Sequence, residues 1–275
     1  MPSMIDLPTA LRSHRAVYPH GSEVERHTGF WAVRTPANPT FFWGNFLQFD
    51  AAPAAGDAER WPALFAQHIA APQPATSHVA LCWETPERGD VDGFVQQGYE
   101  YHENVVMVAP VVLPAASPAI AATLRRLRGD ADWDALVEFN VRTRDAVFSE
   151  AGYRDYSRSR VAHWRRQTEA GAGVWVGAFV AESGVDTLAA ALGLFAETAP
   201  GPDGLKLARY QEVGTDERWR KRGLCSALLA HAAELLAPLA IDRHVIVADE
   251  HDVARPVYAA RGFAVESRWR GMDLK

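Results

Sequence analysis

The stretch RWRKRGLCSALLAHAAELL, residues 218–236, places the densest cluster of positive charge in the chain directly before a leucine-rich run. Its leucines and alanines recur at spacings of three and four residues, which predicts a helix with one apolar face that ends before Pro238. The preceding residues, LKLARYQEVGT at 205–215, have the composition of a strand. The sequence therefore predicts a strand, a short basic loop and a helix in succession.

The basic residues Arg220, Lys221 and Arg222 stand where a helix already carries partial positive charge and unpaired N–H groups. Each cation there costs about 0.3–1 kcal/mol where the dipole is felt. Gly223 has no Cβ, so an anion can approach the backbone closely. The pattern predicts a phosphate or pyrophosphate site, and a solvated basic turn is the alternative. Neither GxxxxGK[ST] nor GxGxxG occurs, which excludes a P-loop and a dinucleotide fingerprint.

Composition limits the classes of function that fit. The chain has 275 residues, enough for two domains, and a net charge of −6, so any affinity for anions must be local. Its two cysteines, Cys82 and Cys225, do not form a disulfide framework or a CxxC metal pair. There is no apolar leader and no run of about 18 apolar residues. We expect a soluble cytoplasmic α/β protein without a membrane or nucleic-acid partner.

The proline-rich segment PVVLPAASPAIAA, residues 110–122, is the best candidate for a linker. It suggests a first domain at 1–113, a linker at 114–123 and a second domain at 124–275. The two halves end alike, in the segments FVQQGYEYHENVVMV and YAARGFAVESRWRGM. In each, an aromatic residue is followed after three residues by a glycine, then by a second aromatic residue and a predicted strand. This similarity suggests a duplicated unit.

The segment VGTDERWRKRGLCSALL resembles motif A of the GNAT superfamily of acyl-CoA-dependent N-acyltransferases, in which a strand and loop precede [Q/R]-x-x-G-x-[G/A]. Arg220, Gly223 and Cys225 take the marked positions, and Cys225 departs from the pattern. The segment HDVARPVYAARGF resembles the family's N-x-x-A-x-x-x-Y-x-x-x-G-F, with His251 in place of the asparagine. The matching residues there are Ala254, Tyr258, Gly262 and Phe263.

The resemblance covers about Leu124 to Lys275 and implies a GNAT fold, with a mixed, mostly antiparallel sheet and two splayed parallel strands. The first half lacks [Q/R]-x-x-G-x-[G/A] between its strands. We therefore expect two GNAT-like domains, of which the first is degenerate and has lost its CoA loop.

By the same resemblance, acetyl-CoA is the co-substrate and lies between the strands RYQEVGT and HVIVADE. Main-chain groups of Val213 and Thr215 would pair with the pantetheine arm. Backbone N–H groups would surround the pyrophosphate; they belong to Arg220, Lys221, Arg222, Gly223, Leu224, Cys225 and Ser226.

The resemblance implies an N-acetyltransferase in which an amine attacks a thioester, with a base for the ammonium and an acid for the thiolate. Tyr258 stands where the family keeps its acid, and a core tyrosine is the alternative. Glu212 is the candidate base, acting through water, unless it is an ordinary strand residue. Glu182 and Glu197 are rivals, and His251 fits a loop position better than a catalytic one.

The acceptor, a small-molecule amine that could be anionic, should bind to the helices upstream of the motif, where arginines and aromatic residues alternate. These residues are Arg142, Arg144, Tyr153, Arg154, Tyr156, Arg158, Arg160, Trp164, Arg165 and Arg166. A solvated helix face explains them as well. Two other functions stay open: an acyl-CoA-sensing module without turnover, and an RNA-binding accessory, which the acidic net charge disfavours. No metal pattern is present, and the oligomeric state is left open.

Overall fold

The computed structural model describes residues 7–18, 22–182 and 184–275. The helices are α1 (Thr9–Val17), α2 (Asp57–Phe65), α3 (Asp92–Gln96), α4 (Gly129–Thr143), α5 (Glu150–Glu169), α6 (Leu224–Leu236) and α7 (Arg255–Ala259). The strands are β1 (Glu23–His27), β2 (Phe30–Arg34), β3 (Phe46–Phe49), β4 (Val79–Glu84), β5 (Glu100–Ala109), β6 (Thr123–Arg126), β7 (Gly173–Glu182), β8 (Val185–Ala196), β9 (Leu207–Thr215), β10 (Arg243–Asp249) and β11 (Ala264–Leu274).

The chain divides into two compact units. The first comprises Met1–Met107, Val247–Asp252 and Val265–Lys275, and the second comprises Val108–Ile246 and Val253–Ala264. Residues 110–122 form neither helix nor strand, but the first unit's opening segment ends at Met107 rather than at residue 113. The linker predicted at 114–123 therefore lies inside the second unit and not between two domains, and its last residue, Thr123, begins β6. The sequence suggested that 124–275 is one domain, whereas the structure counts the last strand with the first unit. The physical reason is that β11 pairs along its length with β4.

In the first unit the strand order is β1-β2-β3-β4-β11-β5. The pairs β1/β2, β2/β3 and β4/β11 are antiparallel, and β3/β4 is parallel. Apolar side chains from these strands meet α2, where Trp61 stacks on Phe49 with ring centroids 3.7 Å apart. The core around this pair holds Leu47, Phe65, Leu81, Trp83, Phe94 and Met272, all buried.

In the second unit the strand order is β10-β9-β8-β7-β6. β9 and β10 are parallel and the other pairs are antiparallel, so the mixed, mostly antiparallel sheet predicted from the sequence is confirmed. The apolar face of α6, which includes Leu224, Leu228 and Ala232, is buried and packs on β7 and β8. α4 packs against α5 and β8. Trp133, Leu136 and Val137 of α4 are buried, and Asn140 is half-buried.

The similar endings of the two halves have the same local geometry. In each, a five-residue helix is followed by a left-handed glycine, Gly98 at φ 92° and Gly262 at φ 93°. The next residue is a buried aromatic whose N–H donates back into the helix, Tyr99 to Phe94 at 3.1 Å and Phe263 to Tyr258 at 3.2 Å. Phe94 therefore holds in the first unit the place of Tyr258 in the second.

A second correspondence involves the helix that joins each pair of parallel strands. β3, α2 and β4 follow one another as β9, α6 and β10 do, and each parallel pairing covers three residues per strand. Both helices begin at a left-handed glycine, Gly56 at φ 88° and Gly223 at φ 81°. The sequence analysis missed this match, because Gly56-Asp57-Ala58 lacks the basic residue that leads the motif. The two correspondences support the duplication.

Residues 40–49, TFFWGNFLQF, have the aromatic-rich composition of a strand. In the structure Phe42–Gly44 instead forms a 3-10 turn, and β3 starts only at Phe46. In the described part of the chain, no helix combines the length and the apolar character that crossing a bilayer requires.

We predict that Gly173→Ala lowers the stability of the second unit. A Cβ at Gly173 would lie 2.3 Å from the Leu194 carbonyl oxygen and 2.9 Å from the Phe195 Cα, so the backbone of β8 would have to move. Alanine normally stabilises a strand relative to glycine by roughly 0.5–1 kcal/mol. Here overpacking should reverse the sign and cost about 1–3 kcal/mol in urea unfolding. An unchanged or raised midpoint would contradict this close packing.

Candidate active site

A β-bulge interrupts the pairing of β8 with β9. Ala191 faces Gly214 and Gly193 faces Gln211, so Glu212 and Val213 together lie opposite Leu192 alone. Glu212 has φ 49°, a left-handed conformation that non-glycine residues seldom adopt. A bulge leaves an extra residue outside the ladder and redirects backbone groups. The sheet therefore presents unpaired main-chain groups at Glu212–Val213.

The parallel pairing of β9 with β10 is short. It joins Leu207, Ala208 and Arg209 to Arg243, His244 and Val245. β9 continues for six more residues, to Thr215, over which its described ladder partner is β8. This separation of two parallel strands agrees with the splay expected from the sequence, and the bulge lies in the part of β9 that has left β10.

The basic loop after β9 is anchored by Asp216, whose carboxylate is buried. It accepts hydrogen bonds from Arg142 Nε of α4 at 2.6 Å and from Arg218 through both the main-chain N–H and the guanidinium. Arg142 also donates to the Leu188 carbonyl of β8 at 2.8 Å. Asp216 thus connects the loop to a helix and a strand of the second unit.

Burial by itself would raise the pKa of Asp216, but the hydrogen bonds from Arg218 and Arg142 outweigh it and lower the pKa to about 2. The carboxylate is therefore ionised throughout the physiological range. The sequence analysis did not single out Asp216, because its partner Arg142 lies 74 residues away in the sequence.

The loop itself alternates backbone conformations. Lys221 has φ 61° and Gly223 has φ 81°, and Arg222 between them does not have a positive φ. Alternation in the sign of φ is typical of the nests in which successive N–H groups turn toward one anion. The three side chains of the cluster are exposed. Arg220 also pairs with Glu217 at 3.2 Å, and the Arg222 guanidinium lies 5.2 Å from the Trp219 ring centre.

The start of α6 is suited to an anion in three ways. Gly223 gives it no side-chain cap, no acidic residue stands in its first turn, and the side of Gly223 where a Cβ would lie is lightly packed. Within 4 Å, a Cβ on Gly223 would meet one atom, the Pro118 Cα at 3.5 Å. Leu224 is buried, while Cys225 and Ser226 are half-buried. The first N–H groups of a helix have no acceptor within the helix, so this end attracts negative charge.

At the bulge, Glu212 is held by α5. Its Oε1 pairs with Arg160 and accepts a hydrogen bond from Gln211 Nε2 at 3.1 Å. Arg160 also binds the Tyr156 hydroxyl at 2.8 Å. Burial and the nearby Glu212 carboxylate raise the pKa of Tyr153. A carboxylate, a guanidinium and two tyrosines therefore gather beside the bulge.

The rival bases lie elsewhere. Glu182 pairs with Arg218 at 3.0 Å, and Glu197 accepts the Leu207 N–H at 2.9 Å at the start of β9. Six strand residues, roughly 20 Å, separate Leu207 from Val213. His251 is exposed, and its N–H donates to Asp249 at 2.7 Å. Among the carboxylates considered, Glu212 alone lies at the bulge.

Tyr258 lies on α7 and is 3 % exposed. Its burial agrees with a packing role and leaves its place as the acid a prediction. Val213 and Thr215 are half-buried on the free part of β9.

Most arginines of α4 and α5 are engaged by neighbouring groups. Arg154 pairs with Glu138 and Glu150, and Arg165 pairs with Asp130 and Glu169. These pairs neutralise much of the basic face, which favours a solvated helix surface over a nucleic-acid interface. Arg160 differs from them, because its acidic partner belongs to the bulge.

Comparisons with known proteins bear on the family and the fold. Residues 133–263 match the model of the acetyltransferase (GNAT) family. No curated protein matches the sequence of the chain. A functionally unknown conserved protein from Staphylococcus epidermidis has a similar structure, with a TM-score of 0.68 and 11% identity over 92% of this chain and 94% of that one.

Two other similar structures are named for the family. A GCN5-related N-acetyltransferase from Kribbella flavida has a TM-score of 0.59 and 12% identity, over 95% of this chain and 93% of that one. A tandem GNAT protein from the clavulanic acid biosynthesis pathway has a TM-score of 0.53 and 14% identity, over 93% and 83%. At these identities the likeness shows the fold alone.

The fold and the site define an α/β protein with a GNAT-type mixed sheet. Residues 133–263, which match the acetyltransferase (GNAT) family, lie in the second unit apart from 247–252.

We predict that Asp216→Asn destabilises the protein at neutral pH and that the difference disappears in acid. The folded pKa of about 2 lies below the unfolded value near 3.9, so the carboxylate contributes roughly 2–3 kcal/mol. That contribution is complete above about pH 4 and is lost as the pH falls toward 2. Urea unfolding of both proteins from pH 7 to pH 2 measures it.

Glu217→Gln is the matched control, since Glu217 neighbours Asp216 in the same loop but is exposed. It should change the unfolding free energy by less than about 0.5 kcal/mol. Equal effects of the two variants, or a difference that does not depend on pH, would contradict the role given to Asp216.

Proposed function

We propose that the second unit is an N-acetyltransferase that transfers the acetyl group of acetyl-CoA to the amine of a small molecule. One observation carries the proposal. The same strand, β9, bears a bulge with unpaired backbone groups and leads directly into a cationic loop that opens the N-terminus of α6. A long ligand with a thioester at one end and phosphates at the other matches the two features in that order.

The residues of the loop fit a pyrophosphate. The nest at Lys221–Gly223 and the first turn of α6 offer N–H groups, and Arg220, Lys221 and Arg222 add positive charge. Val213 and Thr215, on the free part of β9, would pair with the amide groups of the pantetheine arm. Acetyl-CoA would supply the thioester whose carbonyl carbon the amine attacks.

The side chains near the bulge suggest how protons move. Glu212 would accept a proton from the amine through a water molecule, and the backbone of the bulge would stabilise charge that develops on the carbonyl oxygen. Tyr258 would return a proton to the departing thiolate. The Arg160 contact holds Glu212 in its strained conformation, so Arg160 acts as a positioning residue.

We further propose that the first unit has lost the cofactor site. Its α2 also begins at a left-handed glycine, but Asp57 occupies the first turn, where its carboxylate accepts the Ala54 N–H at 2.9 Å. The protein's own negative charge thus stands where the second unit offers N–H groups and cations to an anion. In addition, Phe94 stands where the second unit has Tyr258.

We predict that Gly223→Glu weakens acetyl-CoA binding at least tenfold, about 1.4 kcal/mol. The substitution brings bulk and negative charge to the mouth of the nest. Isothermal titration calorimetry measures the affinity, and the unchanged protein should bind one ligand per chain because the first unit has lost its site.

Gly223→Ala serves as the control for backbone strain, because any side chain is strained at φ 81°. If Gly223→Ala and Gly223→Glu lose the same affinity, strain explains the loss and the charge argument fails. Two ligands per chain would refute the degenerate first unit.

An acyl-CoA-sensing protein without turnover is the second candidate. The burial of Tyr258, at 3 % exposure, favours it, because a general acid must reach the leaving group. Release of CoA with a panel of amines separates the two functions, since a sensor binds acetyl-CoA but releases none.

We predict that Tyr258→Phe lowers kcat at least tenfold and leaves acetyl-CoA affinity nearly unchanged. General acid catalysis typically contributes about 10²–10⁴-fold, and phenylalanine removes the proton but keeps the ring. The fold should tolerate the change, because Phe94 already occupies the equivalent geometry in the first unit. Steady-state kinetics with the best amine of the panel measures kcat, and melting curves measure the stability of the variant.

Survival of kcat within about twofold would make Tyr258 a packing residue. Tyr210→Phe is the matched comparison, because its buried hydroxyl donates to the Leu229 carbonyl at 2.7 Å and contacts no proposed substrate. Tyr210→Phe should lower the melting temperature and leave kcat nearly unchanged, whereas Tyr258→Phe should lower kcat and leave the melting temperature nearly unchanged.

A further inference from the structure

Three side chains of the first unit bring metal-ligating atoms together on neighbouring strands. Glu100 and His102 lie on β5, two residues apart and therefore on the same face, and Asp273 lies on the adjacent strand β11. One oxygen of each carboxylate and one ring nitrogen of His102 all lie within 4.8 Å of one another.

The hydrogen bonding of this cluster is incomplete. The Asp273 side chain is 6 % exposed, and within the described residues its carboxylate has one side-chain partner, His102 Nε2. A buried carboxylate has room for about four hydrogen bonds and is costly to bury without them. Glu100 pairs loosely with the Lys275 ammonium, at 4.0 Å, and interacts electrostatically with His102. Asp273 is thus a buried anion whose need for positive charge is only partly met.

We propose that Glu100, His102 and Asp273 bind a divalent transition-metal ion, with Zn²⁺ the best match. The ion would take the place of the proton that His102 Nε2 and Asp273 now share. One imidazole nitrogen with two carboxylate oxygens suits zinc, whereas Mg²⁺ and Ca²⁺ prefer oxygen ligands alone. Three protein ligands leave the remaining coordination position to water.

The surroundings suit an ion that enters from solvent. The side-chain exposure of the ligands rises from 6 % at Asp273 through 33 % at His102 to 64 % at Glu100. All three ligands lie on strands, and the largely exposed side chain of Glu100 has room to rotate over the short distance that ligation requires. Two carboxylates face one ammonium, so the cluster attracts cations.

An ion at this place would join two strands that are distant in sequence. His102 and Asp273 are 171 residues apart, and β11 lies between β4 and β5. An ion that binds the folded state and not the unfolded one raises stability by mass action. The proposed ion therefore fixes the last strand of the first unit in place, independently of the acetyl transfer proposed for the second.

Calorimetric titration of the full chain, without a histidine tag, tests the site with ZnCl₂ and with MgCl₂. We expect one saturable Zn²⁺ site, no Mg²⁺ binding at the same concentrations, and a Zn²⁺-dependent rise in melting temperature. His102→Ala and Asp273→Asn should each weaken Zn²⁺ binding at least tenfold. His231→Ala, a half-buried histidine of α6 outside the cluster, is the control and should leave the affinity unchanged.

If His102→Ala and Asp273→Asn do not fold, Glu100→Gln still tests the site, because a substitution of this largely exposed side chain should not disturb packing. It should also weaken Zn²⁺ binding at least tenfold. As a direct readout, the ring NMR signals of His102 in the unchanged protein should shift with Zn²⁺. Zinc that binds Glu100→Gln as tightly as the unchanged chain, or that leaves the His102 signals unmoved, overturns the proposal.

Discussion

The buried carboxylate of Asp216 fixes the cationic loop on which the proposed cofactor site depends. Arg218 and Arg142 hold it, and Arg142 in turn binds the Leu188 carbonyl of β8. The consecutive cations Arg220, Lys221 and Arg222 repel one another, and without an anchor this repulsion would favour extended conformations of the loop. Because its first residue is bound to a helix and a strand, the loop keeps its N–H groups oriented before any anion arrives. This preorganisation lowers the entropy that binding must overcome.

The bulge at Glu212 shows where the second unit accepts strain. A left-handed conformation costs a non-glycine residue about 1–2 kcal/mol, and an ordinary β9 would avoid it. Arg160 of α5 offsets part of this cost by pairing with the Glu212 carboxylate. The same contact places a cation, Tyr153 and Tyr156 beside the unpaired backbone. Strain that neighbouring elements hold in place is typical of functional sites, which agrees with placing the reaction here.

Local patterns were enough to predict the strand, loop and helix around Gly223, because the periodicity of α6 and the charge before it are both contiguous in sequence. They could not predict the Asp216–Arg142 contact, which depends on tertiary packing. Gly56 was missed for another reason. The motif begins with a glutamine or arginine that the first unit lacks, whereas the left-handed start of the helix needs only the glycine, which Gly56 and Gly223 share. Glu212 was chosen from its strand position, yet its left-handed φ, which singles it out physically, has no signature in sequence.

The position of β11 could not be predicted from sequence either, because strand pairing depends on register rather than on order along the chain. β11 pairs with β4 from Trp269–Glu84 to Leu274–Val79 and contributes Met272 to the core of the first unit. Without it, β4 and β5 would each expose an unpaired edge, and such edges promote aggregation. The first unit therefore cannot complete its sheet until residues 265–275 exist, after the whole of the second unit has been made. It follows that residues 1–107 by themselves are not an independent domain. If a truncated chain is inactive, the cause could be either an incomplete sheet or a missing site. Single substitutions in the full chain therefore separate the roles of the two units better than truncation does.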